Sequence, residues 1–416
     1  MLAMDKISAG DTAWVLASAA LVMLMTPGLG FFYGGLVRRK NVLSTVMHSF
    51  FILCLISVQW VLWGYSLAFG PDVKGWGIIG DLSWIGLNHV TLAPDKDYAA
   101  TIPHQAYMVF QAMFAVITPA LISGAFAERK RFKAFVLFSL LWATFVYDPL
   151  AHWVWGHGGW LNKMGALDFA GGTVVHISSG VSALVAAWVL GKRITHTHGE
   201  NVEPHDIPMV VLGCALLWFG WFGFNAGSAL AANGLAVSAF VNTNTAAAMA
   251  ALTWMTISWA HKGVPSVVGA TAGAVAGLVA ITPAAGYVTP AASILIGLVV
   301  SLVCYGACQL RDRINVDDAL DVWAVHGVGG TVGAICTGLF ATVTINAGAA
   351  NGLFYGNPGQ LGVQLIAVCA SWIFSGVMTF VILKLVNVVV PLRVSEKEEA
   401  MGLDLSQHSE IAYSPS

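Results

Sequence analysis

Long apolar stretches separated by short polar connections make up most of the chain. Each stretch has about the 20 residues that an α-helix needs to cross the hydrocarbon core of a bilayer. The pattern therefore predicts an all-α polytopic membrane protein with eleven transmembrane helices. They lie near residues 11–36, 43–69, 104–127, 134–155, 172–191, 207–230, 238–260, 266–282, 289–309, 322–343 and 360–390.

Composition agrees with this class of protein. Of the 416 residues, 57% are hydrophobic and 10% are charged, whereas soluble domains carry about 25% charged residues. The formal net charge of -2 gives no reason to expect nucleic-acid binding. All six cysteines fall inside apolar runs without a CxxC pair, so the sequence predicts no disulfide framework and no cysteine metal site.

Basic residues are concentrated in every second connection. They follow the first, third, fifth, seventh, ninth and eleventh spans, as "RRK" (38–40), "ERKRFK" (128–133), "GKR" (191–193), Lys262, "RDR" (311–313) and Arg393. Short cytoplasmic loops are enriched in Lys and Arg. We therefore expect the N-terminus outside the cell and the C-terminus in the cytoplasm. An odd number of spans agrees with this, because it places the two termini on opposite sides.

Two histidines lie inside apolar spans that run in opposite directions. In "LDFAGGTVVHI", His176 follows Asp168 by eight residues, and in "DDALDVWAVHG", His326 follows Asp318 by eight. Eight helical residues rise about 12 Å, so both imidazoles approach the middle of a core about 30 Å thick. Either histidine alone is explained as a buried side chain that hydrogen-bonds to a backbone carbonyl and has no further function. Two at matching depth favour a functional pair, and no further ligands cluster there to make a metal site.

The two acid-to-histidine patterns predict an inverted repeat of five helices each, about 11–191 and 207–343, followed by helix eleven at 360–390. "LGFFYGGLV" and "FGFNAGSAL" form a second matching pair on spans one and six. Binding sites in such folds lie near mid-depth at the repeat interface.

Several long motifs resemble the ammonium transporter (Amt/Mep/Rh) family, prokaryotic Amt branch. They are "PGLGFFYGGLVRRKNVLS", "FQAMFAVITPALISGAFAERKRF", "GALDFAGGTVVHI", "GWFGFNAGSAL", "DVWAVHGVGG" and the tail "LRVSEKEEAMGLDLSQHSEIAY". The resemblance implies a homotrimer in the cell (inner or plasma) membrane, with one pore per protomer and a role in nitrogen metabolism. It implies these site residues: an outer site for ammonium and its analogue methylammonium at Trp155, Phe114 and Ser228; a gate of Phe114, Phe224 and Phe110; pore histidines His176 and His326; and Asp168 in support.

One segment departs from the family pattern. "HWVWGHGGWLNKMGALD" is one residue longer between the vestibule tryptophan and the aspartate, so Trp153 and Trp160 stay open as alternatives to Trp155. His157 also adds a titratable group at the pore mouth.

The chemistry of ammonium gives these residue types their roles. Aromatic faces attract a cation, and the Ser228 hydroxyl accepts a hydrogen bond that ammonium donates and potassium cannot. Deprotonation costs less than moving a bare ion past the phenylalanines. We expect ammonia and the proton to cross separately, with net electrogenic uptake. The alternatives are an electroneutral ammonia channel and a receptor that does not transport. An intramembrane metal enzyme is disfavoured, and we expect neither enzymatic activity nor a cofactor.

The chain divides into a transmembrane region, 1–392, and a polar C-terminal tail, 393–416. Composition alone is compatible with a disordered, solvated tail. The family resemblance implies instead a regulatory tail ordered against the cytoplasmic face, with docking of a PII-type (GlnK-like) protein.

Overall fold

The computed structural model describes residues 7–200 and 202–413 of the chain. Eleven apolar helices cross this part of the protein, ten of them with 18 residues or more and one, α8, with 15. The predicted eleven-helix fold is confirmed, and the chain is a multi-pass membrane protein. The helices are α1 Ala9–Leu36, α2 Arg39–Phe69, α3 His104–Phe126, α4 Phe132–Met164, α5 Gly172–Leu190, α6 Ile207–Ala229, α7 Gly234–Lys262, α8 Val267–Ile281, α9 Pro290–Ile314, α10 Trp323–Phe340 and α11 Pro358–Val389.

The connection between α2 and α3 contains the strands that an all-α prediction missed. β1 (Pro94–Asp95) and β2 (Ala99–Pro103) pair as an antiparallel hairpin. The Asp95 side chain accepts hydrogen bonds from the backbone N–H groups of Asp97 and Tyr98 at 2.9 and 3.1 Å. This turn holds both residues at the N-terminal face, beside Ser8, whose N–H donates to the Thr101 carbonyl.

Helices α5 and α10 start from opposite faces and cross in the middle of the protein. Both begin with a π-helical turn, Gly172–Ile177 in α5 and Trp323–Val328 in α10. The two backbones meet where a Cβ on Gly180 would overlap Gly327. Small residues are required at such a crossing because only they allow backbones to approach so closely.

Helices α1 and α6 make a second close crossing, with Gly28 against Leu216 and Gly213 against Phe32. Helix α11 lies across α5 and α10. Its Gln364 amide donates to the carbonyls of Leu167 and Ala334 at 2.8 and 3.2 Å. Each of the two crossings joins a helix of the first five to the corresponding helix of the second five, α1 to α6 and α5 to α10. An inverted repeat produces this arrangement.

A buried charge network joins the connections at the C-terminal face. Glu128 lies 3.1 Å from Arg38 and 3.2 Å from Arg193, and Arg193 lies 2.8 Å from Asp317. Burial raises the pKa of the Glu128 carboxyl, but Arg193 and Arg38 outweigh burial and lower that pKa below its ordinary value. Burial also raises the pKa of the Asp317 carboxyl, but Arg129 and Arg193 outweigh burial and lower that pKa below its ordinary value. Both carboxylates are therefore charged at neutral pH and hold four connections together.

The tail folds against this face. Helices α12 (Glu396–Met401) and α13 (Leu403–His408) follow Ser395, which forms a capping box with Glu398. Glu399 is buried and binds Arg393 at 2.7 Å, and the Asp404 carboxylate accepts from the Ser44 N–H at 2.8 Å at the start of α2. Residues 393–413 are thus ordered; residues 414–416 of the tail lie outside the described residues.

We expect Glu128→Gln to destabilise the fold, because it leaves the guanidinium groups of Arg38 and Arg193 without their shared carboxylate. Breaking a buried pair from one side costs about 3–5 kcal/mol, so the thermal unfolding midpoint in detergent should fall by several degrees. Glu396→Gln, on the exposed start of α12, is the control and should leave the midpoint close to wild type. Equal midpoints for the two variants would contradict a stabilising role for the network.

Candidate functional site

Three cavities lie in series through the helix bundle. The N-side vestibule, at the N-terminal face, has a volume of about 220 Å³. The middle cavity has only about 10 Å³ and is lined mostly by apolar side chains. The tail-side vestibule has about 180 Å³ and opens at the face that carries the tail. The middle cavity is just large enough for one water-sized molecule.

The N-side vestibule brings together Trp155, Phe114 and Ser228. The indole Nε1 of Trp155 donates to the Asp168 carbonyl at 2.9 Å, and its ring meets the Phe114 ring edge to face at 6.1 Å between centroids. The Ser228 hydroxyl donates to the Phe224 carbonyl at 2.8 Å. Because its only hydrogen is used in this way, the hydroxyl offers the vestibule an acceptor oxygen.

The other two tryptophans do not line this vestibule. Trp153 donates to the Ile78 carbonyl at 2.8 Å and packs on Phe374 at 4.4 Å and on Trp160 at 5.6 Å between ring centroids. Of the three candidates, only Trp155 lines the cavity that also contains Phe114 and Ser228.

Two phenylalanine rings separate the N-side vestibule from the middle cavity. The centroids of Phe114 and Phe224 are 4.3 Å apart, and both residues are almost completely buried. Phe110 lies 5.0 Å from Phe114, edge to face, but lines neither vestibule nor the middle cavity. Phe110 therefore packs against Phe114, and its part in the gate stays a prediction.

His176 and His326 lie below the rings, at the middle cavity. Their Nδ1 atoms are 3.3 Å apart, and both residues are buried. The His176 ring also stacks near Trp221 at 5.4 Å and Phe224 at 5.9 Å between centroids. His326 lines the tail-side vestibule as well, so the pair extends from the phenylalanines to the opposite opening.

The hydrogen bonds of Thr282 favour one direction for the hydrogen bond between His176 and His326. The Thr282 hydroxyl donates to the Leu278 carbonyl at 2.8 Å and accepts from Trp221 Nε1 at 2.8 Å. Its remaining lone pair faces His176 Nε2 at 3.4 Å, an arrangement that favours the tautomer with the hydrogen on that nitrogen. In a neutral ring His176 Nδ1 is then the acceptor, and His326 Nδ1–H donates to it. His326 Nε2 is left as a free acceptor toward the tail-side vestibule.

Asp168 organises the start of α5. One carboxylate oxygen accepts from the N–H groups of Gly171 and Gly172 at 2.7 Å each, and the other accepts from the Thr173 N–H at 2.7 Å and from the Thr173 hydroxyl. Asp168 is 5% exposed and does not line the vestibule. Its side chain therefore caps the helix, and its carbonyl positions Trp155.

The sequence profile of the Ammonium Transporter Family matches residues 13–413. The chain belongs to this family. It is 55% identical over 408 residues to an ammonium transporter of Bacillus subtilis, covering 98% of this chain and 99% of that protein. It is 50% identical over 406 residues to ammonium transporter Amt1 of Archaeoglobus fulgidus, covering 98% and 100%.

A solved structure agrees with this assignment. The crystal structure of Candida albicans Mep2 matches with a TM-score of 0.90 and 40% identity over 98% of this chain and 91% of that chain. The family that the motifs predicted is confirmed, and it is a family of transporters.

Sequence reasoning missed two residues of this family member's site, Trp221 and Thr282. Thr282 follows the glycine-rich run "GATAGAVAG" by a few residues. Because α8 has 15 residues, it rises only about 22 Å and ends inside the bundle beside His176. The available signal is a hydroxyl at the C-terminal end of an apolar helix that is shorter than its neighbours.

We expect Asp168→Ala to reduce the folded yield of this transporter strongly, because four donors in a buried position lose their acceptor. Each unsatisfied donor costs about 1–3 kcal/mol. Asp206→Ala is the matched control: Asp206 caps α6 through the single N–H of Met209 at 2.9 Å, and an ordinary N-cap is worth about 0.5–2 kcal/mol. Size-exclusion yield and thermal midpoint measure both variants. A smaller loss for Asp168→Ala than for the control would contradict the capping role.

Proposed function

We propose that this member of the Ammonium Transporter Family carries ammonium from the N-side vestibule to the tail-side vestibule as ammonia and a separate proton. The observation that carries the proposal is the order of the path: an aromatic vestibule, a pair of closed phenylalanine rings, and two hydrogen-bonded imidazoles in a cavity of about 10 Å³. We place the N-side vestibule outside the cell, because Arg38, Arg129 and Arg193 lie at the opposite face and cytoplasmic loops are rich in such residues.

Recruitment at the N-side vestibule relies on cation–π attraction and a directional acceptor. Trp155 and Phe114 offer aromatic faces, which attract a cation by about 0.5–2 kcal/mol. The Ser228 oxygen accepts a hydrogen bond from ammonium, a donor, whereas potassium has no hydrogen to offer. These groups explain how the vestibule distinguishes two cations of similar size.

The phenylalanine pair favours deprotonation. Transfer of a bare ion into a dry interior costs several kcal/mol even after the protein relaxes. Removing a proton from an amine with a pKa near 10 costs about 4 kcal/mol at pH 7, at 1.36 kcal/mol per pH unit. The middle cavity has no room for a hydration shell, so neutral ammonia is the species that fits.

The histidine pair offers the proton a route of its own. His326 Nδ1 donates to His176 Nδ1 in the resting arrangement, and each neutral imidazole has one donor and one acceptor. A proton that arrives on one ring is passed on by release from the other. Ammonia and the proton then recombine in the tail-side vestibule, so that transport moves one net charge.

Family membership and the ordered tail support two assembly proposals. We propose a homotrimer in the cell (inner or plasma) membrane, as the family resemblance implies. We also propose that a PII-type (GlnK-like) protein binds the tail-side face and regulates transport according to nitrogen supply. The docked helices α12 and α13 support this role for the tail, because they give that face a defined shape.

We expect the wild type, reconstituted in vesicles on a solid-supported membrane, to give an ammonium-evoked current. His176→Ala and His326→Ala should each reduce that current at least tenfold, and the double variant no further, because the two rings form one relay. His198→Ala is the control, since that side chain is 63% exposed in a connection away from the path.

The other outcomes separate the alternatives. Methylammonium uptake without current in the wild type would indicate an electroneutral ammonia channel. Binding without either signal would indicate a receptor, and full currents in both single variants would reject the relay.

Native mass spectrometry tests the assembly. The solubilised protein should have three times the protomer mass of 43.9 kDa, and a PII-type protein should add its mass to that complex. A monomer mass would contradict the trimer, and an unchanged mass after addition would contradict the regulator.

A further inference from the structure

A carboxylate and a histidine meet at the rim of the N-side vestibule. Asp97 lines the vestibule together with Trp155 and Ser228. The Asp97 Oδ1 atom lies 4.0 Å from Nδ1 of His157. The Asp97 side chain is 32% exposed and that of His157 is 72% exposed, so both are in contact with solvent.

The backbone fixes both residues in place. The Asp97 N–H donates to the Asp95 side chain at 2.9 Å, within the hairpin turn. The His157 N–H donates to the Tyr98 hydroxyl at 2.8 Å, so the connection after Trp155 is attached to the residue next to Asp97. The two backbones are therefore held near each other, and the side chains lie 4.0 Å apart without a direct hydrogen bond.

The charged groups around His157 leave Asp97 as its available partner. Asp72 accepts from Gly77 N–H at 2.7 Å and bonds His152 at 3.0 Å, and Asp95 is used by its own turn. The cation nearby is Lys163, whose Nζ lies 3.9 Å from the position of a Cβ on Gly158. Within residues 7–200 and 202–413, the Asp97 carboxylate accepts no hydrogen bond.

We propose that Asp97 concentrates ammonium at the vestibule and that protonation of His157 opposes it, so that affinity for ammonium falls as the pH on this side falls. This inference rests on the proposed function. Neutral His157 leaves the Asp97 charge free for an incoming cation. Protonated His157 pairs with Asp97 and repels the cation, and histidine side chains change charge between about pH 5 and 8.

The range from pH 5.5 to pH 8 separates the effect of His157 protonation from a change in the concentration of ammonium. An amine with a pKa near 10 stays almost fully protonated from pH 5.5 to pH 8, so the ammonium concentration is constant. A change in KM then reports the vestibule, while changes at the phenylalanines and histidines affect the maximal current.

The experiment measures the KM of ammonium-evoked currents at pH 5.5 and pH 8 on the N-side of reconstituted vesicles. We expect the wild-type KM to be about fivefold higher at pH 5.5, the factor that corresponds to about 1 kcal/mol between unit charges 4 Å apart in water. Asp97→Asn should raise the KM about fivefold at pH 8, and the only pH effect left should be the direct repulsion between ammonium and protonated His157. His157→Asn should hold the KM at its low value at both pH values.

His198→Asn is the control for a general histidine effect and should behave as the wild type, because its side chain lies far from this vestibule at the opposite face. A wild-type KM that changes less than twofold, or an unchanged pH dependence in His157→Asn, overturns the inference while transport itself stands. Absence of current and of methylammonium uptake in the wild type would instead reject the proposed function, and this inference with it.

Discussion

The backbone contact between Gly180 of α5 and Gly327 of α10 is the constraint on which the rest of the structure depends. A Cβ at Gly180 would overlap the Gly327 backbone, and one at Gly330 would lie 2.9 Å from the His176 Cβ. Only because these helices approach so closely do two imidazoles from opposite faces come within 3.3 Å. The π-helical turns around His176 and His326 turn both rings toward the crossing. Such turns are frequent at functional sites because they redirect a side chain without breaking the helix.

Charged side chains are absent from the lining of the middle cavity within the described residues, although Asp97 and Asp321 line the two vestibules. Asp168 is saturated by four donors, and Glu128 and Asp317 are paired with arginines at the tail-side face. The middle cavity is lined by two imidazoles, an indole, the Tyr33 ring and apolar side chains. A fixed charge beside that cavity would either hold the cation in place or repel it, because its field is weakly screened in a dry interior. Neutral groups that both donate and accept hydrogen bonds neither trap nor repel the cation.

The sequence predicted most of the fold and only part of the site. The eleven spans were predictable because length and hydropathy are sufficient when the solvent is hydrocarbon. The depth of His176 and His326 followed from a fixed rise per residue.

The choice of Trp155 over Trp153 did not follow from the sequence, since both lie near the same end of α4 and only packing separates them. The family resemblance places Phe110 in the gate, whereas its edge-to-face contact with Phe114 is visible only in the folded protein. The hairpin at 94–103 was missed because it is short and part of a long polar connection.

The hydrogen-bond direction at the histidine pair shows why sequence alone stops short of mechanism. It depends on Thr282, which is 106 positions from His176 in sequence and reaches it because α8 ends inside the bundle. The Thr282 hydroxyl has one hydrogen, and the Leu278 carbonyl takes it. That bond favours the hydrogen on His176 Nε2, and in this tautomer His326 Nδ1 is the donor to His176 Nδ1. The free acceptor of the pair, His326 Nε2, consequently faces the tail-side vestibule. The inward proton route that we propose therefore requires both rings to exchange their hydrogens before a proton enters from the N-side. Because Trp221 also donates to Thr282, this hydroxyl is held in one orientation, which favours the resting arrangement.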